Sequence, residues 1–182
     1  MPRLIVCLTG MPGAGKSTIA AGLQKKGFSS VNMGDAVRAE AKRRNLEPTG
    51  QNLGKLMLEL REKNGQGAVA ELIKDQIISS KSDVVVIDGV RSNAELDVLR
   101  KLATVKLLAI HASTNTRFGF LSARHRSDDP QNRESFDERD SREIGVGISA
   151  SIALADETIS NNNMSIDQLI DASYDIIKKW LT

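Results

Sequence analysis

The segment Gly10-Met11-Pro12-Gly13-Ala14-Gly15-Lys16-Ser17-Thr18 constrains this chain more than any other. A glycine, four residues, then Gly-Lys-Ser is the spacing of a phosphate-binding loop. Its flanks suit that role. Arg3-Leu4-Ile5-Val6-Cys7-Leu8-Thr9 predicts a buried strand, and Ser17 to Leu23 opens a helix with Ile19 and Leu23 one turn apart. Such a loop turns backbone N–H groups toward phosphates at the positive end of the helix dipole. Lys16 then reaches the β- and γ-phosphates, and Ser17 holds a magnesium ion. The competing explanation is a tight turn that matches by accident. At ordinary residue frequencies that is on the order of one in a hundred for a chain this short. The motif therefore predicts a nucleoside triphosphate site over Gly10–Thr18.

Composition narrows the rest. The 182 residues suit one domain, and a net charge of +2 gives no field strong enough to favour nucleic acid or a membrane. Aromatic residues are 3% of the chain, too few for the stacking platforms that hold single-stranded nucleic acid. The lone Cys7 excludes an intrachain disulfide and a cysteine-based zinc site; within an apolar strand it is a small core residue. No leader-like or membrane-spanning apolar run is present, so a cytoplasmic location is expected.

Strand and helix signals alternate along the chain, which predicts a parallel sheet with helices on both faces. Ser29–Met33 is a short second strand, ended by Gly34-Asp35. From Ala36 to about Ser80 the pattern is helical, with apolar stripes Leu53, Leu56, Met57, Leu60 and Val69, Leu72, Ile73, Ile77. That excursion is longer than a crossover needs, so it is an inserted subdomain. Val84–Ile87 before Asp88 is a central buried strand. Ser92 to Glu95 forms a capping box, and Val105–Ile110 is another strand. A helix from Thr114 to Ala123 leads into a charged stretch, Arg124 to about Glu143. A short strand around Glu157–Ile159 precedes a last helix capped by Ser165 and Gln168, with Ile166, Leu169, Ile170, Ser173, Ile177 and Leu181 on one face.

Four groups carry chemistry. Asp88 ends the strand expected beside the loop strand, where an acid can hold a magnesium-bound water; a turn-capping aspartate is the alternative. Asp35 lies at the carboxyl end of the second strand, where it could take a proton from an attacking hydroxyl or hold a metal-bound water. Arg38, one turn later, could clamp an acceptor phosphate by a two-pronged contact. For these two residues a helix cap and a solvated arginine compete evenly. Arg91, just past the central strand, could meet the acceptor or the moving phosphoryl group; a surface salt bridge is the alternative. Arg124 and Arg126, with Arg117 behind them, open the charged stretch, and arginines there could stabilise charge in a phosphoryl-transfer transition state. Acids outnumber arginines in that stretch, so most of its charges are expected to be paired or solvated. His111 and His125 are expected to be polar or core residues.

Together these motifs resemble the nucleoside monophosphate kinases, adenylate kinase and dephospho-coenzyme A kinase in particular. Residues 10–18 look like that family's phosphate loop. Gly34-Asp35-x-x-Arg38 looks like its acceptor motif, and Asp88-Gly89-Val90-Arg91 resembles its Asp-Gly-x-x-Arg with the arginine one residue early. Ala155 to Asn161 resembles the segment before the base-contacting loop. The whole chain also resembles an archaeal group of nucleotide-kinase-like P-loop proteins. The resemblance implies a three-layer α/β/α P-loop NTPase fold with a five-stranded parallel sheet in order 2-3-1-4-5. It implies a core of 1–35, 81–123 and 146–182, a helical acceptor-binding insertion at about 36–80, and a lid at about 124–145. The expected activity is transfer of the γ-phosphoryl of ATP, with Mg2+, to a small nucleotide-like or phosphorylated acceptor. A nucleotide-dependent regulator or ATPase without an acceptor is the alternative. The guanine-reading Asn-Lys-x-Asp motif is absent, and Asn32-Met33-Gly34-Asp35 lacks the paired acids of a shikimate site.

Overall fold

The computed structural model describes residues 1–182. Five strands form one all-parallel sheet in the order β2-β3-β1-β4-β5. They are β1 (Leu4–Thr9), β2 (Ser29–Asn32), β3 (Val84–Asp88), β4 (Thr104–His111) and β5 (Glu157–Ser160). The central strands β1 and β3 are buried along their whole length, because helices cover both faces. That explains their unbroken apolar runs.

Alternation along the strands separates two cores. Ile5, Cys7, Val85 and Ile87 face one way, into a cluster with α2 (Met33–Arg43), α3 (Gly50–Asn64), α4 (Ala68–Glu71), α5 (Lys74–Ile78) and α6 (Asn93–Arg100). Leu4, Val6, Leu8, Val84 and Val86 face the other way, against α1 (Lys16–Lys25) and α10 (Ile166–Leu181). The remaining helices are α7 (Thr114–Arg124), α8 (Arg133–Val146) and α9 (Ile148–Ala153). No helix is long and apolar enough to cross a membrane.

Three local outcomes differ from the sequence pattern. The second strand stops at Asn32, whose side chain accepts from the Asp35 N–H and so starts α2 at Met33. An asparagine is among the best N-caps, and the helix gains one turn from the expected strand end. The charged stretch is largely helical: α8 is nucleated by an Asn132–Ser135 capping box and anchored by fully buried Phe136, which stacks edge-on against Phe118 at 5.4 Å. Ile166, placed by periodicity on the core face of α10, is 64% exposed at the first helical position. Leu169, Ser173 and Ile177 of the same expected face do turn inward.

Candidate active site

The cleft lies at the carboxyl ends of the strands, where an open parallel sheet places ligands. It has a volume of ≈ 830 Å³ and is lined by the Gly10–Thr18 loop, Asp88, Arg91 and residues of α7, α8 and α10. Sheet register builds its floor. Leu8 of β1 aligns with Asp88 of β3, and Asn32 of β2 aligns with the same Asp88.

Around the loop, close packing dictates residue type. Gly10 has φ +141°, and a Cβ there would lie 2.2 Å from the Ile110 carbonyl oxygen; Gly15 has φ +109°, and its Cβ would meet Asn161 Nδ2 at 2.6 Å. Only glycine fits either place. The loop is then tied down from outside. Asn161 Nδ2 donates to the Ala14 carbonyl at 2.9 Å, and Arg117 Nη1 donates to the Pro12 carbonyl at 3.0 Å. Lys16 Nζ donates to the carbonyls of Gly10 (2.6 Å) and Met11 (3.1 Å). Desolvation, with Arg91 and Arg139 adding repulsion against the pull of Asp88 and Glu143, lowers the Lys16 pKa to about 8.

Ser17 and Asp88, 71 residues apart in sequence, meet directly: Ser17 Oγ donates to Asp88 Oδ2 at 2.6 Å. Asn32 Nδ2 donates to the same oxygen at 2.7 Å. Asp88 is only 3% exposed, and both neutral donors hold the same oxygen, Oδ2. A hydroxyl and a carboxylate oxygen, side by side beneath a phosphate loop, are the donor set that suits Mg2+. That ion takes few protein ligands and completes its shell with water and phosphate oxygens.

On the opposite wall the side chains are arginines, most of them held by a carboxylate. Arg91 Nε lies 2.6 Å from Glu143 Oε2 of α8, and the Glu143 side chain is 4% exposed. Burial pushes that carboxyl up, but Arg91, Arg139 and Lys16 hold it below the usual carboxylate range. Arg139 donates to the Asp128 carbonyl (2.9 Å) and carboxylate (3.4 Å). Arg38 pairs with Asp35 at 2.6 Å and reaches Asp128 at 3.6 Å. Arg124 is clamped by Asp129, with Nε donating to Oδ2 at 3.0 Å. Arg126 lines the cleft, is exposed, and makes no side-chain ion pair, while its backbone N–H donates to Asp129.

The structure thus brings Lys16, Ser17, Asp88, Arg38, Arg91, Arg124 and Arg126 to one cleft. It does not bring Asp35. That carboxylate is 71% exposed, outside the cleft lining and paired with Arg38, because α2 begins at Met33 and carries it to the helix surface. Asn32 stands at the cleft instead. Arg117 also differs from expectation: it is buried, and its guanidinium is used on the Pro12 carbonyl (3.0 Å) and on both Asp140 carboxylate oxygens (2.9 and 2.5 Å). It is a strut between the loop and α8. Sequence reasoning did not single out Asn32, Asn161 or Glu143. An asparagine ahead of a helical run is a cap signal, and Glu143 falls seven residues after Phe136, on the same helical face. Asn161 closes the Ala155–Asn161 segment that resembles the kinases, but no spacing in the sequence ties it to the phosphate loop.

Comparison with known proteins agrees with this architecture. The family described as "AAA domain" matches residues 9–137. The chain is 44% identical over 164 residues to a UPF0200 protein of Thermococcus gammatolerans, covering 87% of this chain and 86% of that one. It is 42% identical over 168 residues to a UPF0200 protein of Methanocaldococcus jannaschii, covering 91% and 85%. Among solved structures, a Thermus thermophilus protein superposes with a TM-score of 0.73 at 17% identity over the whole of both chains. Shikimate kinase from Bacteroides thetaiotaomicron superposes with a TM-score of 0.62 at 14% identity, covering 96% of this chain and 98% of that one. At such identities the likeness is one of fold.

Proposed function

The chain belongs to the AAA-domain family and to the UPF0200 proteins, and from that premise we propose that it is a small-molecule kinase. It would move the γ-phosphoryl of Mg-ATP to a nucleotide-like or phosphorylated acceptor. One observation carries the reading: the Ser17–Asp88 pair at 2.6 Å lies under the phosphate loop, and arginines from three separate elements face it across the same cleft. A hydrolase of a single nucleotide needs donors for one phosphate chain. A kinase needs a second set on the acceptor side, and Arg38, Arg91 and Arg139 supply it.

In this scheme the loop N–H groups and Lys16 bind the donor's β- and γ-phosphates. Lys16 leaves its carbonyl partners to do so, and a phosphate chain restores its proton affinity. Ser17 and Asp88 hold Mg2+, which when bound neutralises charge on the β- and γ-phosphates. Asn32 fixes the Asp88 carboxylate. Arg38 and Arg91 orient the acceptor, and Arg124 and Arg126 stabilise charge on the moving group, so that positioning and electrostatics do most of the work. The segment at about 36–80 serves as the acceptor-binding insertion and that at about 124–145 as the lid. Asp35 acts as the partner of Arg38 rather than as a proton acceptor.

The test is a Mg-ATP phosphotransfer screen against nucleoside monophosphates, dephospho-coenzyme A and a metabolite set, with Lys16→Ala as control. A phosphorylated product that vanishes with Lys16→Ala is expected. ATP hydrolysis that no acceptor alters would replace the kinase with a nucleotide-dependent regulator.

A further inference from the structure

The turn that carries Arg91, Gly89 to Ser92 between β3 and α6, hangs its four backbone N–H groups on two side-by-side acceptors. Gly89 and Val90 both donate to the Leu8 carbonyl of β1 at 3.2 Å. Arg91 and Ser92 both donate to Glu95 Oε2, at 2.7 and 3.2 Å. A capping box needs only the Ser92 bond. The shorter bond goes one residue further, to the backbone of an arginine that lines the cleft. The other carboxylate oxygen, Oε1, accepts from Arg61 Nη2 of α3 at 2.8 Å. Arg61 Nη1 donates to the Met57 carbonyl one turn earlier (3.4 Å), and its Nε has no partner. The Arg61 and Glu95 side chains are buried, at 3% and 0% exposure, and neither lines the cleft.

Burying two charges costs desolvation, and an apolar pair of similar volume is often as stable or more so, so stability does not account for this pair. Resting on the kinase reading above, we propose that Glu95 is a positioning residue for Arg91. It fixes the backbone from which the arginine reaches the acceptor's phosphate, and through Arg61 it ties that backbone to α3. The carboxylate accepts from the Arg91 N–H, the Ser92 N–H and Arg61 together, and hydrogen bonds to an ionised acceptor are stronger than neutral ones. The head of Arg91 is less constrained. Its Nε lies 2.6 Å from Glu143 Oε2, yet neither that oxygen nor Arg91 Nη1 has a hydrogen-bond partner. An arginine with an anchored backbone and an incompletely partnered head can turn onto a phosphate from a fixed base, with little ordering left to lose on binding.

The experiment compares two double variants, each of which removes both buried charges and so leaves neither unpaired. Arg61→Met with Glu95→Gln keeps a side-chain oxygen for the Arg91 and Ser92 N–H groups; Arg61→Met with Glu95→Met removes it. Inorganic phosphate is titrated by calorimetry into the full chain saturated with Mg-AMP-PNP, which occupies the donor loop. The first pair should bind phosphate within about twofold of the native protein, and the second on the order of tenfold more weakly. Affinity for Mg-AMP-PNP should be the same in all three proteins, a split that a merely structural role would not produce. Equal phosphate affinity in the two pairs would overturn the proposal, as would a native protein that takes up no phosphate or a parallel loss of Mg-AMP-PNP binding. A second readout needs no variant: the Arg91 and Ser92 amides of the native protein should be protected from hydrogen exchange before phosphate is added, and rapid exchange there is equally fatal. Failure of the kinase reading would show elsewhere, as ATP hydrolysis that no acceptor alters while the two pairs still differ in phosphate affinity.

Discussion

The phosphate loop and the charged segment that ends in α8 face each other across one cleft, but different physics holds each in place. The loop is fixed by backbone shape: glycines at φ values closed to other residues, carbonyls capped by Asn161 and Arg117, and β1 before it with α1 after it. The opposite wall is fixed by charge. Arg91–Glu143, Arg139–Asp128 and Arg124–Asp129 bind residues that lie on separate elements or loops, and only Phe136 supplies a large apolar anchor. A wall made of ion pairs can exchange partners when a phosphate arrives; a wall made of backbone cannot. Under the proposed kinase function, the contrast would suit a rigid donor site and an adaptable acceptor site.

The sharpest way to break this comparison is at Lys16, the one loop side chain that must act by charge. Lys16→Ala should lower turnover on the order of 10²–10³-fold, with the melting temperature nearly unchanged, as read by steady-state kinetics and thermal unfolding. A variant that keeps its activity would remove the loop from the chemistry.

Next come the structural ties. Arg117→Ala leaves the Asp140 carboxylate and the Pro12 carbonyl without their donor, and should cost roughly 3 kcal/mol or more in denaturant unfolding. Gly10→Ala forces a Cβ against a backbone carbonyl and should cost roughly 2–4 kcal/mol. If Arg117→Ala proved neutral, the two walls would not be coupled through it.

A smaller effect follows from the Lys16 pKa of about 8, set below its ordinary 10.5 chiefly by desolvation. Because the folded value is the lower one, the unfolded chain binds more protons between pH 8 and 10.5, and this group makes folding more favourable as pH rises through that window. Nucleotide phosphates reverse the shift. Binding of ATP at pH near 8 should therefore take up about half a proton, and almost none at pH near 6, measured by calorimetry in buffers of different ionisation enthalpy. No uptake at the higher pH would mean that Lys16 does not meet the phosphates.

The smallest effect is expected on the outer face of α8. Arg133 and Asp137 form an exposed i,i+4 pair at 3.1 Å, and Asp137→Ala should change stability by about 0.5 kcal/mol or less and fade with salt. A larger loss would show that charge on the outside of the wall matters as much as charge inside it.

How much of this was legible beforehand follows the same division. The loop, the Asp88 strand and the sheet rest on local patterns: a glycine spacing, an apolar run ending in an acid, and capping boxes at Ser92 and Ser165. Asp35 was misplaced because a single cap at Asn32 shifts the start of α2, and a shift of a few residues turns a helical side chain from cleft to solvent. Glu143 was hidden among a run of like acids, and nothing in composition tells a buried carboxylate from a solvated one.

By itself, then, the sequence determined the parallel sheet and the nucleotide loop, since both arise from residues whose signals lie close together along the chain. Which arginine meets which carboxylate was decided only in the tertiary structure. Ion pairs such as Arg91–Glu143 join positions dozens of residues apart, and their partners are set by how the helices pack, not by any spacing the chain displays.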